Sequence, residues 1–183
     1  MELFDRRRYH HCNHCGTFHF IETPVVEGVR VLRPHDTALP CPLCQATLMR
    51  ALLDDRSVVE HCQQCRGLLM QRATFGEVVA LRRARSSSAV APPAPIDARE
   101  LGRHLTCPSC RARMDVHPYY GPGNVVIDSC SACDLIWLDH GELKQISEAP
   151  GRDRGGAVSS PAPARAIPAQ PRLSLLDVWA LLE

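Results

Sequence analysis

Aromatic side chains are scarce in this chain, at 5% of its 183 residues, whereas prolines number 15 and glycines 11. Frequent proline and glycine interrupt helices and strands, and few aromatic rings leave little with which to fill one large core. We therefore expect small modules. Such modules bury too little apolar surface to fold unaided, and they commonly add a metal or disulfides.

Long apolar runs are lacking too. No stretch approaches the roughly 20 apolar residues that cross a bilayer, so we expect no membrane span. The first residues, MELFDRRRYHH, are basic but lead into no apolar segment, and we therefore expect no secretory signal. Without export the chain would stay in the cytoplasm, a reducing compartment in which disulfides are rare.

A surplus of positive charge is also absent, since the formal net charge is +1. That charge is not the basic footprint of a strong nucleic-acid binder, although arginines cluster at Arg6–Arg8 and Arg82–Arg85. No H-E-x-x-H, glycine-rich phosphate loop or Ser/His/Asp arrangement is evident. We therefore expect a protein that is not an enzyme and has no small-molecule substrate.

Cysteine, by contrast, is abundant and regularly spaced. All ten cysteines fall into C-x-x-C pairs. Two residues between thiolates let one tight turn aim both sulfurs at a single metal ion, and two such turns about 20 residues apart complete a tetrahedral zinc site. The same ligands would also hold iron. The five pairs are Cys12/Cys15, Cys41/Cys44, Cys62/Cys65, Cys107/Cys110 and Cys130/Cys133.

An internal repeat decides how these pairs combine. The segment C-P-L-C (41–44) matches C-P-S-C (107–110), and V-V-E-H-C (58–62) aligns with V-I-D-S-C (126–130). We call the two repeats copy one and copy two. The sequence of each copy predicts, in order, a knuckle (the tight C-x-x-C turn), a strand, a turn, a strand, a second knuckle and a short helix. The two helices are predicted in 74–85 and 140–147. Pairing 12/15 with 41/44, and 62/65 with 107/110, would leave Cys130 and Cys133 without partners, so we reject it.

Two filled four-thiolate sites would change the charge of the protein. Each unit combines four thiolates with one dication and contributes −2, which takes the formal +1 to about −3. The acidic pair Asp139 and Glu142 lies three residues apart at the start of the second predicted helix. We expect these carboxylates to cap that helix, as at many helix N-termini.

Composition also predicts the organisation of the chain. Residues 86–97 and 149–171 are rich in Ser, Ala and Pro, which is typical of linkers. We predict an N-terminal knuckle in 1–35, a ribbon in 36–85, a disordered linker in 86–100, a second ribbon in 101–148, a second disordered linker in 149–171 and a short amphipathic helix in 172–183. Few contacts should cross the first linker, so the two copies should fold independently. The C-terminal helix either docks on a ribbon of this chain or binds a partner.

The pair Cys12/Cys15 has the form of a knuckle but no cysteine partner. Two cysteines with one or two histidines, His19 alone or His19 and His35, would make a sound third zinc site. The alternatives are an empty knuckle that packs on copy one through Phe18 and Phe20, and a site shared across a dimer.

The motif C-P-x-C, with an apolar residue four positions on and then C-x-x-C, W-L-D and G-E-L, resembles the transcription factor zinc-finger family, a TFIIB-like zinc ribbon. Copy two shows it as CPSC (107–110) and CSACDLIWLDHGEL (130–143). Copy one keeps CPLC (41–44) and CQQCRG (62–67) but has L-M-Q (69–71) in place of W-L-D. The family usually has glycine two residues after the last cysteine, where copy one has Gly67 and copy two has Leu135.

This resemblance implies a small, metal-stabilised, β-rich fold made of two zinc ribbons, which are β-hairpin knuckles with short C-terminal helices joined by disordered linkers. It implies one Zn²⁺ on Cys41, Cys44, Cys62 and Cys65, and another on Cys107, Cys110, Cys130 and Cys133. The family name indicates a role in transcription. We therefore expect a non-catalytic zinc-binding adaptor or regulator that contacts protein or nucleic acid.

A protein partner is favoured over nucleic acid, because near-neutral charge and few aromatic rings make a poor surface for stacking bases. The alternative function is that of a thiol redox or metal-handling protein that uses its C-x-x-C pairs. A thioredoxin-type pair would begin a helix within a βαβ pattern, and no such pattern surrounds these cysteines.

Overall fold

The structure is a computed structural model that describes residues 2–4, 9–20, 28–32, 39–85, 95–119 and 124–149. The predicted C-terminal helix in 172–183 lies outside these residues, as do most of both predicted linkers. The N-terminal and copy-one strands are β1 (Glu2–Phe4), β2 (Tyr9–His11), β3 (Phe18–Phe20), β4 (Val29–Val31), β5 (Met49–Leu53), β6 (Ser57–His61) and β7 (Leu68–Gln71). The remaining elements are α1 (Arg72–Arg85), α2 (Ala98–Leu101), β8 (Asp115–Pro118), β9 (Val126–Cys130), β10 (Leu135–Leu138) and α3 (Glu142–Glu148).

The two copies, together with β4 from the segment before copy one, form one antiparallel sheet of seven strands in the order β4-β5-β6-β7-β10-β9-β8. Each copy supplies the two predicted strands and the predicted helix, together with a strand after the second knuckle, β7 or β10, that the repeat does not predict. The last strands of the two copies pair with each other, with Leu69 opposite Trp137 and Met70 opposite Ile136. The expectation that few contacts join the copies is therefore wrong, because backbone hydrogen bonds connect them at the centre of the sheet.

The central strands are buried on both faces. On one face Leu68 and Met70 of β7 join a core with Ile136 and Leu138 of β10. On the other face Leu69 joins Leu135, Trp137 and the cysteines in a second core. Because successive side chains point to opposite faces, two-sided burial requires continuous apolar runs rather than alternation. The sequences LLM and LIWL meet that requirement.

The helices cover the first of these cores. Helix α1 buries Phe75, Val78 and Val79, and α3 buries Leu143 and Ile146. The two helices also contact each other across the copies. The guanidinium of Arg83 donates hydrogen bonds to the carbonyl oxygens of Ile146 and Ala149 at 3.0 and 3.1 Å. This interaction satisfies carbonyl groups that the end of α3 leaves without helical partners.

Residues 98–100, which we predicted as part of a disordered linker, are helical. Asp97 caps this short helix, and its side chain accepts a hydrogen bond from the backbone N–H of Arg99 at 3.0 Å. Glu100 is buried at 8% exposure. The cap provided by Asp97 and the burial of Glu100 explain why ordered structure begins before the predicted boundary of copy two.

A smaller sheet of three antiparallel strands, β1-β2-β3, precedes the large one. Tyr9 is buried, and its ring lies 5.3 Å from Phe18 and 5.6 Å from Phe20. Phe18 packs against the core that contains the cysteines. The ring of Phe20 lies 3.9 Å below the guanidinium carbon of Arg66 and 5.0 Å from the ring of His140. The N-terminal knuckle therefore docks on both copies rather than on copy one alone.

Gly67 explains how the copies differ from the family pattern. A Cβ atom at Gly67 would lie 2.2 Å from the indole ring of Trp137. Copy one thus keeps the glycine because the tryptophan of copy two lies against it. Copy one has Leu69 instead of a tryptophan, and copy two has Leu135 instead of the glycine. The tryptophan and the glycine of the family motif are therefore divided between the copies.

We expect Gly67→Ala to lower the free energy of unfolding by about 1–3 kcal/mol, because the added methyl group overpacks the contact with Trp137. The measurement is thermal unfolding of the zinc-loaded protein. Gly76→Ala is the matched control, since a Cβ there has no atom within 4 Å and the position lies in α1. The control should gain up to about 1 kcal/mol from helix propensity. Equal melting temperatures for the two variants would contradict this packing.

Candidate metal centres

The C-x-x-C turns that begin at Cys41, Cys62 and Cys107 are each closed by a backbone hydrogen bond. In copy one, the N–H of Gln45 donates to Cys41 O at 3.0 Å, and the N–H of Arg66 donates to Cys62 O at 2.8 Å. Both residues have positive φ, 63° and 62°. In copy two, Arg111 repeats this geometry, with a 2.9 Å bond to Cys107 O and a φ of 62°. The left-handed residue reverses the chain so that both sulfurs point the same way.

The structure brings the predicted cysteines together as two sets of four. The sets are Cys41, Cys44, Cys62 and Cys65 in copy one, and Cys107, Cys110, Cys130 and Cys133 in copy two. Within each set the four sulfur atoms lie within 4.8 Å of one another.

Sulfur distances test whether the two sets fit zinc. In copy one, Cys41 and Cys65 are 3.5 Å apart, and Cys44 and Cys62 are 3.4 Å apart. In copy two, Cys110 and Cys130 are 3.6 Å apart. A tetrahedral ion with Zn–S bonds of about 2.3 Å separates its sulfurs by about 3.8 Å. The sites therefore fit Zn²⁺ held by four cysteines.

The two sites differ in their exposure to solvent. In copy one, Cys41, Cys62 and Cys65 are buried and Cys44 is half-buried. In copy two, Cys107 and Cys130 are buried, Cys133 is half-buried and Cys110 is exposed. Backbone N–H groups also point at the sulfurs in copy one, with Cys44 N 3.4 Å from Cys41 Sγ. Such donors stabilise thiolate charge.

The thiols of copy one strongly influence one another. Hydrogen bonds from Cys41 and Cys65 lower the pKa of Cys62 to about 2, which favours the thiolate at this sulfur. Hydrogen bonds with Cys41 and Cys44 raise the pKa of Cys65. The four sulfurs therefore share protons through hydrogen bonds. A bound dication would take the place of these protons and stabilise all four thiolates, which is the chemistry a structural Zn²⁺ supplies.

A buried ionic network supports the site of copy two. Asp128 and Asp139 are fully buried, and the guanidinium of Arg103 hydrogen-bonds to both carboxylates. Asp139 also accepts a hydrogen bond from the indole N–H of Trp137 at 2.8 Å. The side chain of Glu142 accepts from the Asp139 N–H at 2.7 Å. The predicted capping is therefore wrong: the N-cap of α3 is Gly141, without a side-chain cap hydrogen bond, and the carboxylate of Asp139 binds Trp137 and Arg103.

Copy one lacks this network. Gln71 stands where copy two has Asp139, and it is exposed. Glu60 stands where copy two has Asp128, and its carboxylate accepts a hydrogen bond from Arg50 at 3.2 Å. Within the W-L-D motif, the aspartate thus binds the tryptophan that covers Gly67. The sequence analysis did not predict Arg103. The signal was that Asp128 and Asp139 each follow an apolar strand residue, which indicates burial, and buried carboxylates require a cation.

Two partly or fully buried histidines, His61 and His140, were also missed. His61 is 7% exposed, and neither ring nitrogen has a hydrogen-bond partner within the described residues. Burial lowers the pKa of His61. Burial and the nearby Arg66 lower the pKa of His140 to about 4. Both rings are therefore neutral at physiological pH and act as packing groups.

The N-terminal pair Cys12/Cys15 belongs to neither four-cysteine set. Among the described residues, these two sets are the groups of three or more His, Cys, Asp or Glu side chains close enough to hold an ion. Cys15 is exposed, and hydrogen bonding with the Thr17 hydroxyl lowers its pKa to about 7. His35 lies outside the described residues, so its predicted role as a ligand stays a prediction.

Comparison with known proteins agrees with this geometry. Residues 106–149 match the family model of the transcription factor zinc-finger, a TFIIB-type zinc ribbon. Copy one carries the same four-cysteine arrangement and is consistent with a second zinc ribbon. No curated protein and no solved structure matches the chain. In the described part of the chain, none of the helices has the length and hydropathy of a membrane span.

We expect Arg103→Met to lower the free energy of unfolding by about 3–5 kcal/mol, because the buried carboxylates of Asp128 and Asp139 lose their cation. Arg30→Met is the matched control. Arg30 pairs with Asp55 at 2.8 Å, but both side chains are exposed, at 60% and 76%. The control should cost no more than about 1 kcal/mol. Thermal unfolding of zinc-loaded protein measures both, and similar losses would show that the network is not important.

Proposed function

We propose that this protein is a non-catalytic, zinc-binding adaptor or regulator that works in the cytoplasm and contacts a partner protein, with a role in transcription. The supporting observation is the closed ligand set of each metal site. A catalytic zinc keeps one position open for water, whereas four cysteine sulfurs fill all four positions. The match of copy two to the transcription factor zinc-finger family supports the transcriptional role.

A cleft of about 330 Å³ lies between the first knuckles of the two copies. Copy one contributes Pro40, Cys41, Pro42 and Gln45, and copy two contributes Thr106, Cys107, Pro108 and Arg111. The volume suits one or two side chains of a partner protein. Prolines on both walls have little backbone freedom to lose, which lowers the entropic cost of binding a partner there.

The charges near the sites favour protein over nucleic acid. Of the eight residues that line the cleft, Arg111 alone is a cation, whereas phosphate recognition requires several cations. The predicted arginine cluster in α1 is partly engaged within the protein. Arg82 donates two hydrogen bonds of 2.8 Å to Asp54, and Arg83 binds the end of α3. The cluster Arg6–Arg8 lies outside the described residues.

The segment 172–183 also lies outside the described residues, and its role in partner binding is part of this proposal. Its sequence, RLSLLDVWALLE, places Leu175, Leu176, Trp179 and Leu182 at a spacing typical of the apolar face of a helix. A helix of this kind binds in a groove of a partner through such anchors.

One observation favours the alternative function in thiol redox or metal handling. Cys110 is exposed, and a hydrogen bond from the backbone of Ala112 lowers its pKa to about 7. Low pKa and exposure are features of reactive thiols. The two functions predict different activities for the zinc-loaded protein. If it works by redox chemistry, it should reduce an insulin disulfide, either with zinc bound or after ready loss of zinc. The adaptor function requires no such activity.

We expect the zinc-loaded protein to capture partner proteins from its native cytoplasm and to bind a short DNA duplex weakly at physiological salt. Capture should fall at least tenfold for Arg111→Glu, which alters the cleft, and for a chain without residues 172–183. Arg113→Glu is the matched control, because Arg113 is exposed on the same loop but does not line the cleft. Affinity capture with quantitative mass spectrometry measures these effects.

Electrophoretic shift at varied salt tests the nucleic-acid alternative. Weak, salt-sensitive binding would show a log–log slope of about −0.9 for each duplex phosphate neutralised. Tight duplex binding that resists salt and is unaffected by removal of 172–183 would contradict the proposed protein partner.

A further inference from the structure

The N-terminal C-x-x-C turn has the backbone geometry of the turns that form the two metal sites. Gly16 N donates to Cys12 O at 2.8 Å, and Cys12 N donates to Thr17 O at 3.0 Å. In the Cys41 turn the corresponding bonds run from Gln45 N to Cys41 O at 3.0 Å and from Cys41 N to Ala46 O at 2.7 Å. Gly16 has a φ of 70°, close to the 63° of Gln45. The turn is therefore folded to direct two sulfurs at one ion.

This turn is also anchored to the rest of the protein. It joins β2 to β3, where His11 pairs with Phe18. Phe18 packs against the core that contains the other cysteines, and Phe20 packs against Arg66 and His140. The two sulfur-bearing residues themselves face outward, since Cys12 is half-buried and Cys15 is exposed. The knuckle is thus held in place and accessible from solvent.

The described side chains of the same chain do not complete a site around this pair. The groups of at least three ligand residues among them are the two four-cysteine sets. Three nearby histidines, His10, His11 and His19, lie on the strands of the hairpin rather than on the turn. The rings of His10 and His19 face each other across β2 and β3, with centroids 6.2 Å apart, and His11 Nδ1 hydrogen-bonds to Asn13. Two sulfurs are therefore half of a tetrahedral ligand set.

We propose that Cys12 and Cys15 bind a third Zn²⁺ together with the same two cysteines of a second copy of the chain. Two identical outward-facing pairs related by a two-fold axis supply four thiolates, the ligand set that the other two sites use. A two-fold interface is self-complementary, so one exposed pair on each chain suffices. The resulting dimer would present two copies of the cleft between the ribbons. This inference does not depend on the proposed function.

Native mass spectrometry of protein purified anaerobically with zinc tests the proposal. We expect a dimer with five zinc ions, two in each chain and one shared. The double variant Cys12→Ser, Cys15→Ser should be a monomer with two zinc ions, and these two ions report that the remaining sites are folded. His14→Ala is the matched control, because His14 is exposed on the same turn and is not a proposed ligand. It should remain a dimer with five ions.

Other stoichiometries would overturn the proposal. Three zinc ions in a monomer would show that ligands of the same chain complete the site. Two zinc ions for each chain would show that the pair binds no metal. A dimer that persists in the double variant would show that another surface joins the chains.

Discussion

Strands β7 and β10 hydrogen-bond to each other at the centre of the seven-stranded sheet, and this pairing determines how the rest of the protein is organised. It places the cysteine knuckles of both copies against one core and the helices α1 and α3 against the other. A single ribbon of about 45 residues buries little apolar surface. Two ribbons that share a sheet bury their central strands on both faces, so each copy completes the core of the other.

The metal sites act within this shared architecture. Cysteines of both copies belong to the same core as Leu69 and Trp137, so the zinc ions and the central strands stabilise one another. The support is unequal between the copies. Trp137 of copy two lies on Gly67 of copy one, and the network of Arg103, Asp128 and Asp139 holds that tryptophan in place. Copy one provides the glycine, and copy two provides both the tryptophan that packs against it and the residues that hold this tryptophan in place.

The sequence predicted the local structure well, because C-x-x-C spacing and the repeat depend on neighbouring residues. The four-cysteine sets are confirmed, and helices α1 and α3 differ from their predicted bounds by one or two residues. The pairing of β7 with β10 was not predicted, although the unbroken apolar runs LLM and LIWL indicate burial on two faces. Arg103 was missed because its partners Asp128 and Asp139 are distant in sequence. Such contacts are set by tertiary structure and leave no local pattern.

The most direct test of the shared sheet is hydrogen exchange on the zinc-loaded Cys130→Ser variant, which damages the site of copy two alone. If the copies form one cooperative unit, the amides of β5 and β6 in copy one should lose protection together with those of β9 and β10. Their exchange should accelerate at least tenfold relative to the unmodified protein. Full protection of β5, β6 and β7 in this variant would contradict the account, since copy one would then be stable without its neighbour.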